Sequence, residues 1–306
     1  MSLFMNDLIS VIIPTYGRSG FLINAVHSIL NQTYENFEII IVDDNGIGTD
    51  DQVNTFKKIE SVLEIDRRIK YIPHDINLNG SAARNTGIKN SNGKYICFLD
   101  DDDEFEKEKL DLQYKRIQKS GYKACYCGHT RIKNKEIISE YTPSREGNIL
   151  FELLLHKIDA CTGSTLMIDR SLLEQVKGFD VSFRRHQDYE FIARIAYHTN
   201  IAVVEKPLVK IQMHEGSYAE RDYSNIISTR IHFNKKMEQL YDQLSPYQIK
   251  TIKYNNNLVL AKLALKNTKI KDFICYCYKS KNFKIILHLF RDAKNYLLHY
   301  SKSKMK

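Results

Sequence analysis

The stretch Tyr95-Ile96-Cys97-Phe98-Leu99 running into Asp100-Asp101-Asp102-Asp103 constrains this chain more than any other. Its β-branched and aromatic residues read as a short buried strand, which ends in four adjacent carboxylates. Neighbouring carboxylates repel one another, so a strand end that gathers them calls for a positive partner. Hard divalent cations such as Mg²⁺ or Mn²⁺ prefer carboxylate oxygens. The same run would also serve as a solvated acidic loop opening a helix near Phe105, because Asp suits the N-cap and first helical turn. The rest of the chain weighs against that plainer reading.

Other apolar runs end in the same way. Leu8 to Ile13 is an apolar strand stopping at Pro14-Thr15-Tyr16-Gly17-Arg18, and a helix from about Phe21 to Asn31 follows with Leu22, Ala25, Val26, Ile29 and Leu30 on one face. Phe37 to Val42 is a second strand, and it stops at Asp43-Asp44-Asn45-Gly46. A helix over Asp51–Leu63, a strand at Ile69–Ile72 and a polar loop from Asn77 into a helix through Gly87 come before the strand at Tyr95. Apolar strands alternating with helices imply βαβ units and a mostly parallel α/β sheet covered on both faces. Ligands of such sheets bind at the carboxyl ends of the strands, where Tyr16, Asp44 and Asp100 all fall. Beyond the aspartates the pattern predicts a helix from Phe105 to Lys119. Antiparallel strands at Ala124–Ile132 and Glu136–Tyr141 come next, then a helix at Ile149–Leu155 and a strand at Ser164–Ile168. A helix opening near Gln187 is followed by two strands, Ile201–Val204 and Leu208–Gln212.

The 306 residues carry a formal charge of +8, unevenly spread. From Arg221 to Lys306 there are 18 Lys+Arg and 5 Asp+Glu, against 27 and 32 in the first 220 residues. The basic segment reads as three or four helices broken only at Pro246, so two domains are expected, 1–220 and 221–306. Six cysteines (Cys97, Cys125, Cys127, Cys161, Cys275, Cys277) show no C-x-x-C spacing and read as reduced thiols. The N-terminus lacks the marks of a secretory signal, and no apolar run reaches the ~18 residues of a membrane span. The expectation is a soluble cytoplasmic protein.

Taken in order, Ser10-Val-Ile-Ile-Pro-Thr-Tyr16, Ser28-Ile-Leu-Asn-Gln-Thr33, Phe37-Glu-Ile-Ile-Ile-Val-Asp-Asp44, Ala83-Arg-Asn-Thr-Gly87, Tyr95 to Asp103, Gly178-Phe-Asp180 and Gln187-Asp-Tyr-Glu-Phe191 resemble the family 2 glycosyltransferases of bacterial polysaccharide biosynthesis. The resemblance covers about residues 8 to 215. One departure is Asn45-Gly46, where many members carry a serine soon after the acids.

The resemblance implies the GT-A fold, a Rossmann-like sheet flanked by helices. It also implies inverting transfer of a sugar from a nucleoside-diphosphate donor, foremost a UDP-sugar, to a hydroxyl of a glycan or lipid-linked saccharide, with Mn²⁺ or Mg²⁺ as cofactor. Pro14, Thr15, Tyr16 and Asp44 would hold the base, Tyr16 by stacking and Asp44 by accepting from a ring N–H. Arg84 would reach the diphosphate. Arg18, Asp43, Ser81, Asn85, Asp100 and Asp101 would complete the nucleotide-sugar site. Asp102 is the first choice of metal ligand, with Asp100 towards the ribose or a metal-bound water. Alternation along an extended segment would put those two on one side, although four consecutive acids leave Asp101 and Asp103 in play. His214 would close the site as a further ligand. Asp188 would be the base, since inversion needs one carboxylate opposite the leaving group.

Each residue also has a plainer reading: Tyr16 plugging the sheet edge, Asp44 and Asp188 as helix N-caps, Arg84 on a helix surface, His214 in an ordinary loop. The lysine-rich tail reads equally as a solvated appendage or as a peripheral contact with the anionic inner face of the membrane. A non-catalytic nucleotide-sugar or glycan binder is the alternative function, and its mark would be loss of Asp102 or Asp188. Nucleic acid is not an expected partner, because the tail lacks a binding motif and acids line the sheet edge.

Overall fold

The computed structural model describes residues 7–159, 163–214 and 222–280. Its contacts divide the chain into two compact units, Met1–Ser217 and Tyr218–Lys306.

In the first unit, β1 (Ile9–Thr15), β2 (Phe37–Asp43), β3 (Ile69–Pro73) and β4 (Tyr95–Phe98) alternate with α1 (Ser19–Leu30), α2 (Asp50–Ile65) and α3 (Gly80–Asn90). These strands pair in parallel in the order β3-β2-β1-β4, with Thr15 level with Asp43. β1, β2 and β4 are almost wholly buried, as continuous apolar runs require when helices cover both faces. Leu22, Ala25, Val26 and Ile29 form the buried face of α1. α3 lies unusually close to β1, since a Cβ on Gly87 would stand 2.2 Å from Ile12 Cγ2. That approach brings the side chain of Arg84 down to the sheet.

The second half of the sheet is mixed. β5 (Glu104–Phe105), β6 (Ala124–Lys133), β7 (Glu136–Tyr141), β8 (Leu166–Asp169) and β9 (Ile201–Gln212) extend the order to β4-β8-β6-β9-β5, with β7 on β6. β8 is antiparallel to both β4 and β6, while β6 and β9 are parallel. Helices α4 (Lys109–Ser120), α5 (Leu150–Leu154), α6 (Ser171–Val176) and α7 (Gln187–His198) complete the unit.

Several expectations are corrected here. Phe105 starts no helix: Glu104 and Phe105 pair with Lys210 and Val209, so α4 begins at Lys109. α6 has no counterpart in the sequence reading. Residues 201–204 and 208–212 are one strand, kinked where the register slips around Gly128. The Ser28-to-Thr33 motif acquires a structural role. Ser28 Oγ accepts from Phe105 N (3.0 Å), Gln32 Nε2 donates to Glu106 O (2.8 Å) and Leu110 N donates to Gln32 Oε1 (3.0 Å). The end of α1 therefore clamps the chain leaving the aspartates.

In the second unit, α8 (Tyr223–Met237), α9 (Pro246–Lys266) and α10 (Ile270–Lys279) bury Ile227, Leu260, Ala261, Ala264 and Tyr276 among them. Pro246 interrupts no helix. It is the first residue of α9 behind a Ser245–Gln248 capping box, a position where its missing N–H costs nothing. Among the described residues no helix is long and apolar enough to cross a membrane. Cys161 and Glu215–Ser217 lie outside the described residues.

Candidate active site

A cleft of about 350 Å³ opens at the carboxyl ends of the parallel strands. Pro14, Thr15, Tyr16, Arg18 and Asp44 line it from the ends of β1 and β2. Asn77, Asn79, Gly80, Ala83 and Arg84 line it from the entry to α3, and Asp100 from the end of β4. Arg184, Gln187 and Asp188 complete it from the entry to α7.

At one end, Tyr16 is 58% exposed, so its ring plugs nothing and stays open to a stacking partner. Asp44 is 2% exposed. It caps no helix either, because Thr49 is the N-cap of α2. Its Oδ1 lies 2.7 Å from His74 Nδ1 and accepts from Leu78 N (2.8 Å), and its Oδ2 accepts from Asn77 Nδ2 (3.0 Å).

The four aspartates do not run extended. Asp103 N donates to Asp100 O (3.0 Å), closing a turn in which Asp101 and Asp102 share Arg18 while Asp100 and Asp103 face other partners. This corrects the alternation argument. Asp100 pairs with Arg84 (2.5 Å). Asp101 accepts from the Thr15 hydroxyl (2.7 Å) and Tyr16 N (3.3 Å) and pairs with Arg18. Asp102 meets Arg18 and His214 Nε2, the latter at 2.9 Å. Asp103 accepts from Ser164 Oγ (2.7 Å). Burial pushes three of these acids upward: Asp101 to about 6, Asp102 above its ordinary value with help from the charge of Asp100, and Asp103 well above it.

At the other end, Asp188 lies in the first turn of α7 and is not its N-cap, which is His186. Its Oδ1 is buried without a hydrogen-bond partner, and Arg84 Nη2 stands 4.0 Å away. Burial, aided by the charge of Asp100 and opposed by Arg84, raises this carboxyl to about 6. Gly163 leaves the space in front of it, since a Cβ there would come within 3.3 Å of Asp188 Oδ1. Arg84 is no surface arginine: it is 4% exposed, and its Nε is also unpartnered. The other acid of the Gln187-to-Phe191 motif, Glu190, is committed elsewhere, because it binds Arg194 through both oxygens at 2.6 Å.

An aromatic stack fixes α7 on the sheet. Phe179 and Phe191 are parallel at 4.0 Å, and Phe98 of β4 is edge-on to both. Asn85 receives Phe179 N and donates to Phe179 O, each at 2.8 Å. Gly178 allows this contact, for its φ is +71° and a Cβ would stand 2.5 Å from Asn85 Oδ1.

Asp44, Arg84, Asp100 and Asp188 thus share one cleft with Pro14, Thr15, Tyr16 and Arg18. Three expected ligands are spent inside the fold. Asp43 accepts from Tyr71 Oη (2.6 Å) and from both nitrogens of Asn45, Ser81 Oγ donates to Gln187 Oε1 (2.6 Å), and Asn85 serves the Phe179 loop. None of the three lines the cleft, and Asp101, Asp102 and His214 gather beside it around Arg18. Asn77, Asn79, Arg184 and His74 were not singled out from sequence. Isolated polar residues in loops carry no periodic signal, and the sequence shows only that the Asn77–Asn79 loop is polar.

Among the described residues, no group of three or more His, Cys, Asp or Glu side chains is assembled to hold an ion. Asp102 and His214 form a two-residue edge on which Arg18 supplies the positive charge. Mg²⁺-type sites characteristically take one or two protein carboxylates and complete their shell with substrate phosphates and water. The residues therefore fit an ion that arrives with a diphosphate, rather than a free-standing cage.

The profile described as "Glycosyl transferase family 2" matches residues 10–177. An uncharacterized glycosyltransferase of Rickettsia felis is 32% identical over 87% of this chain and 42% of its own length. The chain thus spans less than half of that relative. An Escherichia coli protein, UDP-Glc:alpha-D-GlcNAc-diphosphoundecaprenol beta-1,3-glucosyltransferase WfgD, is 31% identical over 65% of this chain and 74% of its own. Among solved structures, Staphylococcus aureus TarS 1-349 in complex with UDP-GlcNAc superposes with a TM-score of 0.60 at 16% identity, covering 90% of this chain and 91% of that one. This last likeness is one of fold.

Proposed function

The chain belongs to glycosyl transferase family 2, and from that premise we propose that it moves a sugar from a UDP-sugar to a hydroxyl of a lipid-linked saccharide, with inversion and with a divalent cation. The observation that carries the proposal is the pairing, in one cleft, of a stacking face and a base-reading acid (Tyr16, Asp44) with a buried carboxylate whose Oδ1 has no hydrogen-bond partner (Asp188).

Tyr16 stacks on the pyrimidine, and Asp44 accepts its ring N–H. Asp188 takes the proton of the acceptor hydroxyl. A carboxyl raised to about 6 is a stronger base than an ordinary one and is still mostly ionised at neutral pH. Arg84 is held by Asp100 in the cleft lining, positioned to face a negatively charged donor. Asp102 and His214 would hold Mg²⁺ or Mn²⁺, which when bound supplies Lewis-acid stabilisation of the departing diphosphate. The lipid-linked acceptor class is that in the name of the E. coli relative. A membrane-bound acceptor would also suit the second unit, whose described residues 222–280 carry 10 Lys+Arg against 4 Asp+Glu. Those helices would hold the enzyme peripherally at the cytoplasmic face.

Release of free nucleoside diphosphate from UDP-, GDP- and dTDP-sugars, with a diphosphoundecaprenol-linked GlcNAc as acceptor and Mn²⁺ present, tests this reading. UDP release that needs both acceptor and metal is expected. No acceptor-dependent release from any donor would refute it.

A further inference from the structure

We propose that His74 is a positioning residue that sets the nucleotide-base specificity of the site. It does so by filling one oxygen of Asp44, so that the one acceptor position Asp44 keeps open is on the other. This rests on the reading of Asp44 as the acid facing the base.

A carboxylate offers about four lone-pair positions. On Asp44, Oδ1 is served twice, by His74 Nδ1 at 2.7 Å and by Leu78 N at 2.8 Å. Oδ2 is served once, by Asn77 Nδ2 at 3.0 Å, and so keeps one position. Asp44 and Asn77 both line the cleft. A base that presents a ring N–H there completes the set. One that presents a bare ring nitrogen places a lone pair against a carboxylate.

His74 is built into place from three sides. Its N–H donates to Asp43 O (2.8 Å), and its carbonyl accepts from Ile47 N (3.0 Å), stitching it between β2 and the turn after it. Its side chain is 8% exposed, and Nε2 lies 2.8 Å from Thr86 Oγ1 on α3. A ring held at both nitrogens cannot swing away, and the carboxylate facing Nδ1 fixes that nitrogen as the donor. The Thr86 hydroxyl can give or take a hydrogen bond, so it suits whichever role Nε2 adopts. The imidazole thereby locks the carboxylate plane, and with it the direction of the open lone pair. Nothing in the sequence marks His74, an isolated histidine at a strand end.

The test is calorimetric binding of UDP, CDP and N3-methyl-UDP to the full chain with Mn²⁺ present throughout. The unaltered protein should bind UDP at least tenfold more tightly than either analogue. His74→Phe keeps an aromatic ring but removes the donor, and the preference should fall towards one, with UDP itself weakened roughly tenfold as for a lost hydrogen bond to a charged group. His74→Asn restores a donor in the place of Nδ1 and should recover most of the preference. Thr86→Val, which removes only the outer anchor, should lose a few-fold. A merely structural role would weaken all three ligands alike and leave the ratios unmoved, and that result would overturn the proposal. Should His74→Phe not fold, a Thr86→Val protein as selective as the unaltered one would overturn it equally. If the unaltered protein itself fails to prefer UDP, the reading of the donor site fails, and the His74 role with it.

Discussion

The two ends of the cleft hold buried carboxylates in opposite states. Asp44 is surrounded by donors from three residues, His74, Asn77 and Leu78. Asp188 keeps an oxygen with no hydrogen bond at all, in sight of an arginine that is bonded to a different acid. A satisfied carboxylate is a rigid template, suited to reading a shape that never changes during a reaction. An unsatisfied one is poised to accept a proton, and the cost of keeping it so is borne by the fold. Native proteins leave few buried polar atoms without partners, and this contrast is why Asp188 rather than Asp44 is the proposed base.

Removing that contrast should have the largest effect. Asp188→Asn keeps the shape and removes the base, and transfer should fall by roughly a thousandfold, within the span ascribed to general base catalysis. Calorimetric affinity for UDP should be nearly unchanged. The same change should make the protein no less stable. A carboxyl raised to about 6 when folded, from 3.8, binds its proton more tightly in the native state, so stability is highest at low pH and is lost as pH rises through that window. At neutral pH the cost is on the order of 3 kcal/mol, with the attraction to Arg84 already included in the shift. A melting temperature at or above that of the unaltered protein is therefore expected, whereas a fall of many degrees would make Asp188 a structural acid.

Smaller and more selective is Asp102→Ala. It should cost roughly tenfold in UDP affinity when Mn²⁺ is present, the loss of about one charge-assisted contact, and little when Mn²⁺ is absent. Equal losses in both conditions would mean that Asp102 serves the turn and not a cation.

Much of the base end was legible in the sequence because local rules govern it. Continuous apolar runs fixed β1, β2 and β4, and parallel pairing brought their ends, with Tyr16, Asp44 and Asp100, to one edge. Arg84 and Asp188 came from motif resemblance, and the structure puts them in the cleft. What escaped was set by non-local contacts. Phe105 looked like the start of a helix, yet its backbone is claimed by β9, a strand some hundred residues later in the chain. Asp43, Ser81 and Asn85 looked like ligands because polar residues near strand ends suit a ligand as well as they suit a buried hydrogen bond. Only their partners (Tyr71, Gln187 and Phe179) decide the matter. The aspartate run was readable as a site but not in register, since a turn closed by one backbone hydrogen bond replaces the alternation of an extended chain.

The pH dependence of kcat/KM for acceptor-dependent UDP release tests the central claim most directly. The account predicts a plateau at neutral pH and a decline through an apparent pKa near 6, falling tenfold per unit below it. Because burial also lifts Asp101 to about 6, the profile should be taken on Asp101→Asn as well, where the acid limb is expected to stay in place. A profile that is level from pH 8 down to about 5, or one whose acid limb disappears in Asp101→Asn, would contradict the assignment of Asp188 as the base.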